Sequence, residues 1–206
     1  MPKVQMERLT VGDIDENCYL AVNSETNELL VIDPGAEAER IFAAIGERKP
    51  RAVLLTHGHF DHIGAAAALR TVFSCPIVAL AAEASLLADP QKNLSSAFSP
   101  APLSLTADTL LADGDTFSFG GETVEVLHTP GHTGGSCCYK LGDRLFTGDT
   151  LFDGSVGRTD FPTGDPTALS LSLGRLAAIP DDLCVLPGHG AATTLAVQRA
   201  VNPYMR

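Results

Sequence analysis

The sequence predicts a layered α/β fold in which two β-sheets pack face to face and helices cover their outer faces. Apolar runs of strand character fall into two groups along the chain, and each group is accompanied by segments of helical periodicity. The residues Val-Leu-Leu-Thr-His at 53–57 are partly repeated as Val-Leu-Pro-Gly-His at 185–189, which is typical of two related halves. Periodicity alone is also compatible with other layered α/β folds.

The first half is predicted to open with neighbouring antiparallel strands around a turn at residues 12–16. Pro and Gly after Asp33 end the last of these strands. A helix follows, with Ile41, Ala44 and Ile45 on one face. The predicted strands are residues 18–22, 28–33, 52–55 and 75–80, and the predicted helices are residues 37–48, 63–73 and a short one ending near residue 88.

The second half is predicted to begin after an irregular segment, residues 89–106. This segment is rich in Pro and Ser, and such polar character is more typical of a surface connection than of an active-site cover. Asp165 and Pro166 form a good helix start, after which Leu residues mark a buried face. The predicted strands are residues 116–119, 123–127, 136–139, 144–146 and a run that reaches His189; the helices start at Asp165 and near residue 191.

Length and composition indicate one domain over residues 1–206. A chain of this size can bury a substantial core, and 45% hydrophobic residues with modest charge exclude a disordered protein. The net charge is −11 and no cluster of Lys or Arg is present. Because nucleic-acid binding usually needs a basic stripe, we expect no nucleic-acid partner.

The sequence contains no recognisable targeting signal, and its cysteines are expected to be reduced, so we expect a cytoplasmic protein. Residues 1–8 do not resemble a signal peptide, and no segment has the ~18 apolar residues of a membrane helix, so no membrane association is expected. The five cysteines lack zinc-finger spacing and are expected to be reduced core residues. Cys137 and Cys138 are neighbours on a predicted strand, so their side chains should point to opposite faces.

The tract Thr-His-Gly-His-Phe-Asp-His at residues 56–62 is the strongest functional signal. It places three imidazoles and a carboxylate between a strand-like run and a helix-like run, so that the loop carrying them is held at both ends. A cluster this polar is not typical of a buried core. The tract therefore predicts a metal site.

Three further apolar runs end in residues of the same chemistry. Gly precedes His132 and His189, and a third run ends in Asp149. Glycine allows backbone conformations that bulkier residues resist, so short loops can bring several imidazoles to one point. We therefore expect these ligands to gather along one edge of a sheet.

With these motifs the sequence resembles the metallo-β-lactamase-fold hydrolases, and within them the glyoxalase II-like (hydroxyacylglutathione hydrolase) branch. The resemblance implies a four-layer αββα sandwich with two related halves. The short, single-domain members sometimes called YcbL-like are the most similar, and they lack the C-terminal helical domain of longer glyoxalase II enzymes. The matching segments are residues 17–19, 32–35, 56–62, 129–132, 147–149, 154–162, 187–189 and 202–204.

The resemblance also implies a site for two divalent metal ions. His57, His59 and His132 would hold the first ion. Asp61, His62 and His189 would hold the second, and Asp149 would bridge both. Zinc is expected, although nitrogen and oxygen ligands without cysteine also suit iron or manganese.

Three other polar residues lie in or beside the matching segments. Asp33 either orients a ligand histidine or only forms the Asp-Pro-Gly turn. Arg158 stands where longer relatives carry a lysine, so it either clamps a substrate carboxylate or forms an internal salt bridge with Asp160 or Asp153. His128 has no place in the ligand set and is expected to be structural.

The implied reaction is hydrolysis of a small acyl thioester, most concretely S-lactoylglutathione to lactate and glutathione. Two metal ions lower the pKa of a shared water, and Asp61 and Asp149 would be the catalytic carboxylates. No Gly-x-Ser-x-Gly nucleophile elbow competes with this interpretation. Oligomeric state is not indicated.

Other functions fit parts of the same pattern. A persulfide dioxygenase would use a single iron held by His57, His132 and Asp149 and has a similar segment around Arg158. A hydrolase of another thioester, ester or lactone would use the same ligands. An inactive metal-binding or regulatory protein is the third possibility, although every expected ligand position is filled.

Overall fold

Two six-stranded β-sheets lie at the centre of the structure, a computed structural model that describes residues 3–205. The first sheet is formed by the first half of the chain and the second sheet by the second half. Helices pack on the outer face of each sheet. This arrangement confirms the predicted layers and the two halves. Residues 1–2 and 206 of the predicted domain lie outside the described residues.

The first sheet is mixed, and its strands lie side by side in chain order. Pairing is antiparallel among the first three strands and parallel from the third to the sixth. The strands are β1 (Val4–Val11), β2 (Glu16–Asn23), β3 (Glu28–Ile32), β4 (Lys49–Leu54), β5 (Ile77–Leu80) and β6 (Thr109–Leu111). The helices of this half are α1 (Ala38–Ile45), α2 (Phe60–Ile63), α3 (Ala66–Phe73), α4 (Ala84–Ala88) and α5 (Ser95–Phe98).

The strands of the second sheet also lie side by side in chain order. Its strands are β7 (Thr116–Phe119), β8 (Glu122–His128), β9 (Cys137–Leu141), β10 (Arg144–Gly148), β11 (Cys184–Pro187) and β12 (Thr193–Thr194). Only β10 and β11 pair in parallel. Two helices belong to this half, α6 (Pro166–Ala177) and α7 (Leu195–Val201).

Three hydrophobic clusters account for the layers. The central cluster lies between the sheets and includes Tyr19 and Phe146, whose rings meet edge to face with centroids 5.5 Å apart. A second cluster joins the first sheet to α1 and α3 through residues such as Ile41 and Leu69. The third joins the second sheet to α6, whose Leu169, Leu173 and Leu176 are buried as the sequence predicts.

The helix predicted over residues 63–73 begins earlier and is interrupted. Helix α2 starts at Phe60, inside the histidine tract, and a break at residues 64–65 separates it from α3. The break arises because the N–H of Ala65 donates to the carbonyl of Pro34 at 2.9 Å rather than to the preceding turn of the helix. Asp61 and His62 therefore lie on a helical turn and not on the predicted loop.

Two short strands, one short helix and one helix boundary differ from the prediction. Helix α5 lies within residues 89–106, which were predicted to be irregular. Strands β6 and β12 span three and two residues and are not fully buried, so they lack the apolar alternation that marks longer strands. The last helix begins at Leu195 rather than near residue 191. Its start is set by Thr194, whose hydroxyl accepts a hydrogen bond from the N–H of Val197 at 3.3 Å.

The cysteines occupy the positions expected of core residues. Cys137 belongs to the cluster between the sheets, and Cys138 to the cluster beneath α6, so the two neighbours point to opposite faces. All five thiols are free, and only Cys184 is partly exposed. Within residues 3–205, no helix combines the length and apolar character needed to cross a membrane.

Candidate metal centre

The seven residues predicted as ligands meet at one edge of the two sheets. Each follows the carboxyl end of a strand or lies on the short helix after it, so the parallel and antiparallel strands deliver them to one place. His57 and His59 follow β4, Asp61 and His62 lie on α2, and His132, Asp149 and His189 follow β8, β10 and β11. These side chains therefore lie together at one edge of the sheets, as the sequence predicts.

The ligand atoms form three overlapping sets. The candidate atoms of each set lie within 4.8 Å of one another. In the first set, Nδ1 of His59 is 2.9 Å from Nε2 of His132. The sets are His57 with His59 and His132; His57 with His62 and Asp149; and Asp61 with His62 and His189.

Asp149 stands between the two groups of histidines. Its Oδ2 lies 3.5 Å from Nε2 of His132, and its Oδ1 lies 3.4 Å from Nε2 of His62. Asp61 faces only the second group, with Oδ2 at 3.2 Å from Nε2 of His189. The arrangement has the form of two binding positions that share one carboxylate.

In four of the five clustered histidines, the ring nitrogen Nδ1 points away from the cluster and lies next to an oxygen atom. Such a contact favours the tautomer in which Nδ1 carries the proton and leaves the lone pair of Nε2 free for a metal ion. His59 is the exception, because its Nδ1 faces His132. The contacts are His57 Nδ1 with Thr56 Oγ1 (3.2 Å), His62 Nδ1 with Asp33 Oδ2 (3.0 Å), His132 Nδ1 with the Arg158 carbonyl (2.7 Å) and His189 Nδ1 with the Ile14 carbonyl (3.1 Å).

Several inward-facing atoms of the cluster have no hydrogen-bond partner among the described residues. They are Nε2 of His57 and His62 and Oδ1 of Asp149. Nε2 of His59 also has no such partner, but this ring turns its Nδ1 towards His132. A buried polar atom left unpaired costs about 1–3 kcal/mol. Cations placed among these atoms would remove that cost, so the donor set fits divalent metal ions.

The pKa shifts show where positive charge is favoured. Burial lowers the pKa of His57 well below its usual value and that of His59 to about 3, so both rings are neutral and able to act as ligands. Burial also opposes a proton on His62, but the charges of Asp61 and Asp149 outweigh it and raise the pKa of His62. Binding of a cation beside these carboxylates would release that proton.

Asp33 lies directly behind His62 and is buried. Its carboxylate accepts hydrogen bonds from the N–H of Thr56 at 2.7 Å and from the Thr56 hydroxyl at 2.6 Å, besides contacting His62. The residue also has a positive φ of 49° at the end of β3. Asp33 therefore fulfils both roles considered from the sequence: it forms the turn after β3 and it orients the imidazole of His62.

Arg158 is engaged by its own chain. Its guanidinium donates two hydrogen bonds of 2.6 Å to Asp160 and lies 3.9 Å from the centroid of the Phe161 ring. Asp153, the other predicted partner, instead accepts a hydrogen bond from Gln198. Of the two sequence interpretations, the internal salt bridge is the one present, and it leaves the backbone carbonyl of Arg158 to hold His132.

His128 lies outside the cluster, as expected of a structural residue. Its Nε2 is 3.0 Å from the carbonyl of Gly134. Its backbone N–H donates to Asp113, and its carbonyl accepts from Arg175. These contacts tie the end of β8 to α6.

Glu83 is a buried carboxylate that sequence reasoning did not identify. Its Oε1 accepts a hydrogen bond from the N–H of Gly58 at 2.8 Å, and it also bonds to Thr133 and Gly135. It therefore joins the loop between His57 and His59 to the loop after His132. The only signal in the sequence is a single acidic residue within an apolar segment before α4.

Replacing Glu83 by alanine is expected to weaken metal binding by about 10–100-fold, because residues that hold the ligand loops influence affinity on that scale. Loss of the buried acceptor should also lower the free energy of unfolding by about 1–3 kcal/mol. Metal titration and urea denaturation measure the two effects. Glu83→Gln, which keeps one acceptor oxygen, is the matched control and should lose less. Wild-type metal affinity in the Glu83→Ala variant would show that Glu83 does not position the ligands.

The loop that carries His189 is held by the first hairpin. The side-chain amide of Asn17 donates to the carbonyls of Pro187 at 3.1 Å and Gly190 at 3.0 Å, and the hydroxyl of Tyr19 donates to Pro187 at 2.7 Å. A Cβ atom at Gly188 would overlap Asp149 and His62, so glycine is required there. The segment at residues 17–19 matched a motif in the sequence, but its role needed the contacts.

A cavity of about 370 Å³ opens directly onto the cluster. Its wall includes Leu94 and Phe98, so the prediction of a mere surface connection over residues 89–106 is wrong for this part of the segment. The segment is held in place because the buried Asn93 presents its carbonyl to the N–H of Phe60 at 2.9 Å. This hydrogen bond could not be predicted from the polar composition of the segment.

The fold and ligand cluster can now be compared with known proteins. Residues 11–189 match the family model described as the metallo-beta-lactamase superfamily. The chain belongs to the metallo-beta-lactamase superfamily. Members of this superfamily are typically metal-dependent hydrolases, and the His and Asp cluster of this chain can hold divalent metal ions.

Two relatives within the superfamily align over almost the whole chain. The probable metallo-hydrolase YqgX of Bacillus subtilis is 35% identical over 98% of both chains. The protein of Haemophilus influenzae named hydroxyacylglutathione hydrolase GloC is 34% identical over 98% of both chains.

Solved structures of the superfamily superpose closely. The BLEG-1 B3 metallo-beta-lactamase has a TM-score of 0.91 and 37% identity, covering 98% of this chain and 99% of that chain. The di-iron-bound form of TTHA1623 has a TM-score of 0.84 and 37% identity, covering 96% and 99%. ETHE1 from Myxococcus xanthus has a TM-score of 0.81 and 31% identity, covering 97% and 83%.

Proposed function

We propose that this chain is a hydrolase of acyl thioesters that depends on two divalent metal ions. The observation that carries the proposal is the pair of histidine groups that share Asp149, with inward-facing nitrogens that lack protein partners. His57, His59 and His132 hold one ion, and Asp61, His62 and His189 hold the other. Zinc suits this donor set, and iron or manganese suits it as well.

The bound ions would supply a water molecule that is deprotonated near neutral pH and a Lewis acid for the carbonyl group. Asp61 lies at the floor of the cavity with Oδ2 beside His189, so this oxygen is placed to receive the proton of the attacking water. A leaving thiolate, with a pKa near ~8.5, needs no strong general acid. The protein's own part is therefore to orient the ligands and to hold the substrate.

S-lactoylglutathione is the first substrate to test. Support comes from the relative named hydroxyacylglutathione hydrolase and from the donor set. The alternative predicted from the sequence, an iron-dependent persulfide dioxygenase, needs only His57, His132 and Asp149. It leaves the group of Asp61, His62 and His189 without a role, although these residues also converge.

A substrate panel separates these functions. Protein loaded with zinc, iron or manganese is assayed with S-lactoylglutathione, other thioesters, an oxygen ester, a lactone and glutathione persulfide. We expect thioester hydrolysis and no oxygen uptake with the persulfide. Brisk hydrolysis of the ester or lactone without thioester turnover, or oxygen uptake by protein that holds one iron, would overturn the proposal.

A further inference from the structure

A second cavity adjoins the one at the metal cluster. Its volume is about 480 Å³, and it shares part of its wall with the first cavity. The shared residues are Ile14, Phe60, Asp61 and Phe98. The second cavity is therefore within reach of a substrate whose reacting carbonyl lies beside Asp61.

The boundary between the cavities is apolar and exposed. Ile14 is 52% exposed and Phe98 is 60% exposed, although both are large hydrophobic residues. Phe60 stacks on Phe98 with ring centroids 5.8 Å apart. Beyond them, Val11, Ala36 and Leu103 continue the apolar wall. Covering these side chains with an apolar ligand is favourable, because it removes their apolar surface from water.

The charged side chains in the described wall of the second cavity offer no cationic partner to an anionic ligand group. They are Asp13, Glu37 and Asp61, and Glu37 forms a salt bridge with Arg40, which lies outside that wall. In the first cavity the only cationic side chain of the described wall is Arg158, which is occupied by Asp160. A carboxylate at the far end of the substrate would therefore lose its hydration without gaining a cationic partner in the described wall, whereas a neutral chain needs none.

The backbone at this boundary is also tied to the metal cluster. The carbonyl of Ile14 accepts the hydrogen bond from Nδ1 of His189, and Phe60 directly precedes Asp61. The apolar wall and the reacting groups are therefore held in fixed relation. Soluble thiol carriers such as glutathione and coenzyme A are polar, so the apolar part of a thioester is its acyl group.

We propose that the second cavity binds the acyl chain of the substrate, and that the substrate is a thioester of a neutral acyl group longer than lactoyl. This inference rests on the proposed thioesterase function. The carbonyl lies between Asp61 and Asp149, and the chain passes Ile14 and Phe98 into the second cavity. Hydrolysis adds water across the C–S bond, which breaks to give the fatty acid and the free thiol.

The test uses thioesters of one small neutral thiol, N-acetylcysteamine, with acetyl, butanoyl, hexanoyl and octanoyl groups. We expect kcat/KM of the metal-loaded protein to rise by up to about fourfold per methylene until the cavity is filled. The adipoyl thioester, which ends in a carboxylate, should be at least about tenfold poorer than the hexanoyl thioester. S-lactoylglutathione should be turned over less efficiently than the octanoyl thioester.

Two variants locate the effect. Phe98→Ala should flatten the dependence of kcat/KM on chain length. Leu171→Ala removes a more exposed apolar side chain from α6, outside both cavities, and should keep the wild-type dependence.

Each outcome has one meaning. If S-lactoylglutathione is hydrolysed but chain length has no effect, or if Phe98→Ala keeps the wild-type dependence, the acyl-chain inference is wrong and the thioesterase function stands. If no thioester of either kind is hydrolysed, the proposed function itself is wrong.

Discussion

Replacing Asp149 by asparagine is expected to lower kcat for thioester hydrolysis by at least about a thousandfold. Asparagine keeps the shape of the side chain but removes the charge from the one carboxylate that faces both His132 and His62. Removal of a single preorganised electrostatic group typically costs 10²–10³ in kcat, and Asp149 is also proposed to hold both ions. Steady-state kinetics together with metal analysis measure the effect.

The same variant should bind fewer than two ions per chain. Asp181→Asn, which changes an exposed aspartate after α6 in the same isosteric way, is the matched control and should keep wild-type kcat and metal content. Full activity with two bound ions in the Asp149→Asn variant would show that the Asp149 carboxylate is not needed to hold the two ions.

Removing the metal should abolish hydrolysis and lower the thermal stability. A ligand at a thousandfold excess over its Kd stabilises the folded state by about 4 kcal/mol, and in a protein of this size each kcal/mol shifts Tm by roughly 2–4 °C. We therefore expect chelation to lower Tm by about 8–16 °C, because buried nitrogens of His57 and His62 lose their partner. Circular dichroism melts with and without chelator measure the shift.

Reconstitution provides the control for this result. Added zinc should restore both activity and Tm, whereas magnesium, which prefers oxygen ligands and retains its water, should restore neither. A Tm that does not change on chelation would mean that the cluster is stable without a cation.

The clustering of the ligands was predictable because each histidine or aspartate follows an apolar run that had to be a strand. His132 and His189 lie far from residues 57–62 in sequence, yet their strands end at the same edge. For Asp33, the end of a neighbouring strand and the family resemblance suggested a place beside a ligand, and a plain turn was the other interpretation. The strand ends therefore predicted candidate donors at one edge of the sheets, while their division between two ions came from the family resemblance.

Features that depend on long-range contacts were not predictable. The role of Glu83 depends on two loops that meet only in the folded chain, and the role of Asn17 depends on a loop about 170 residues away. The choice between partners for Arg158 depended on side-chain geometry that residue spacing does not determine. Part of the segment at 89–106 forms a cavity wall because buried hydrogen bonds of Asn93 hold it in place. These bonds could not be inferred from its irregular, polar composition.

Titration of the metal-free protein with zinc tests the central claim most directly. The amount of bound metal and the rate of thioester hydrolysis are followed on the same samples. We predict that binding saturates at two ions per chain and that hydrolysis reaches its maximum only when both are bound, since Asp149 faces both histidine groups. Saturation of binding and activity at one ion per chain would contradict the account.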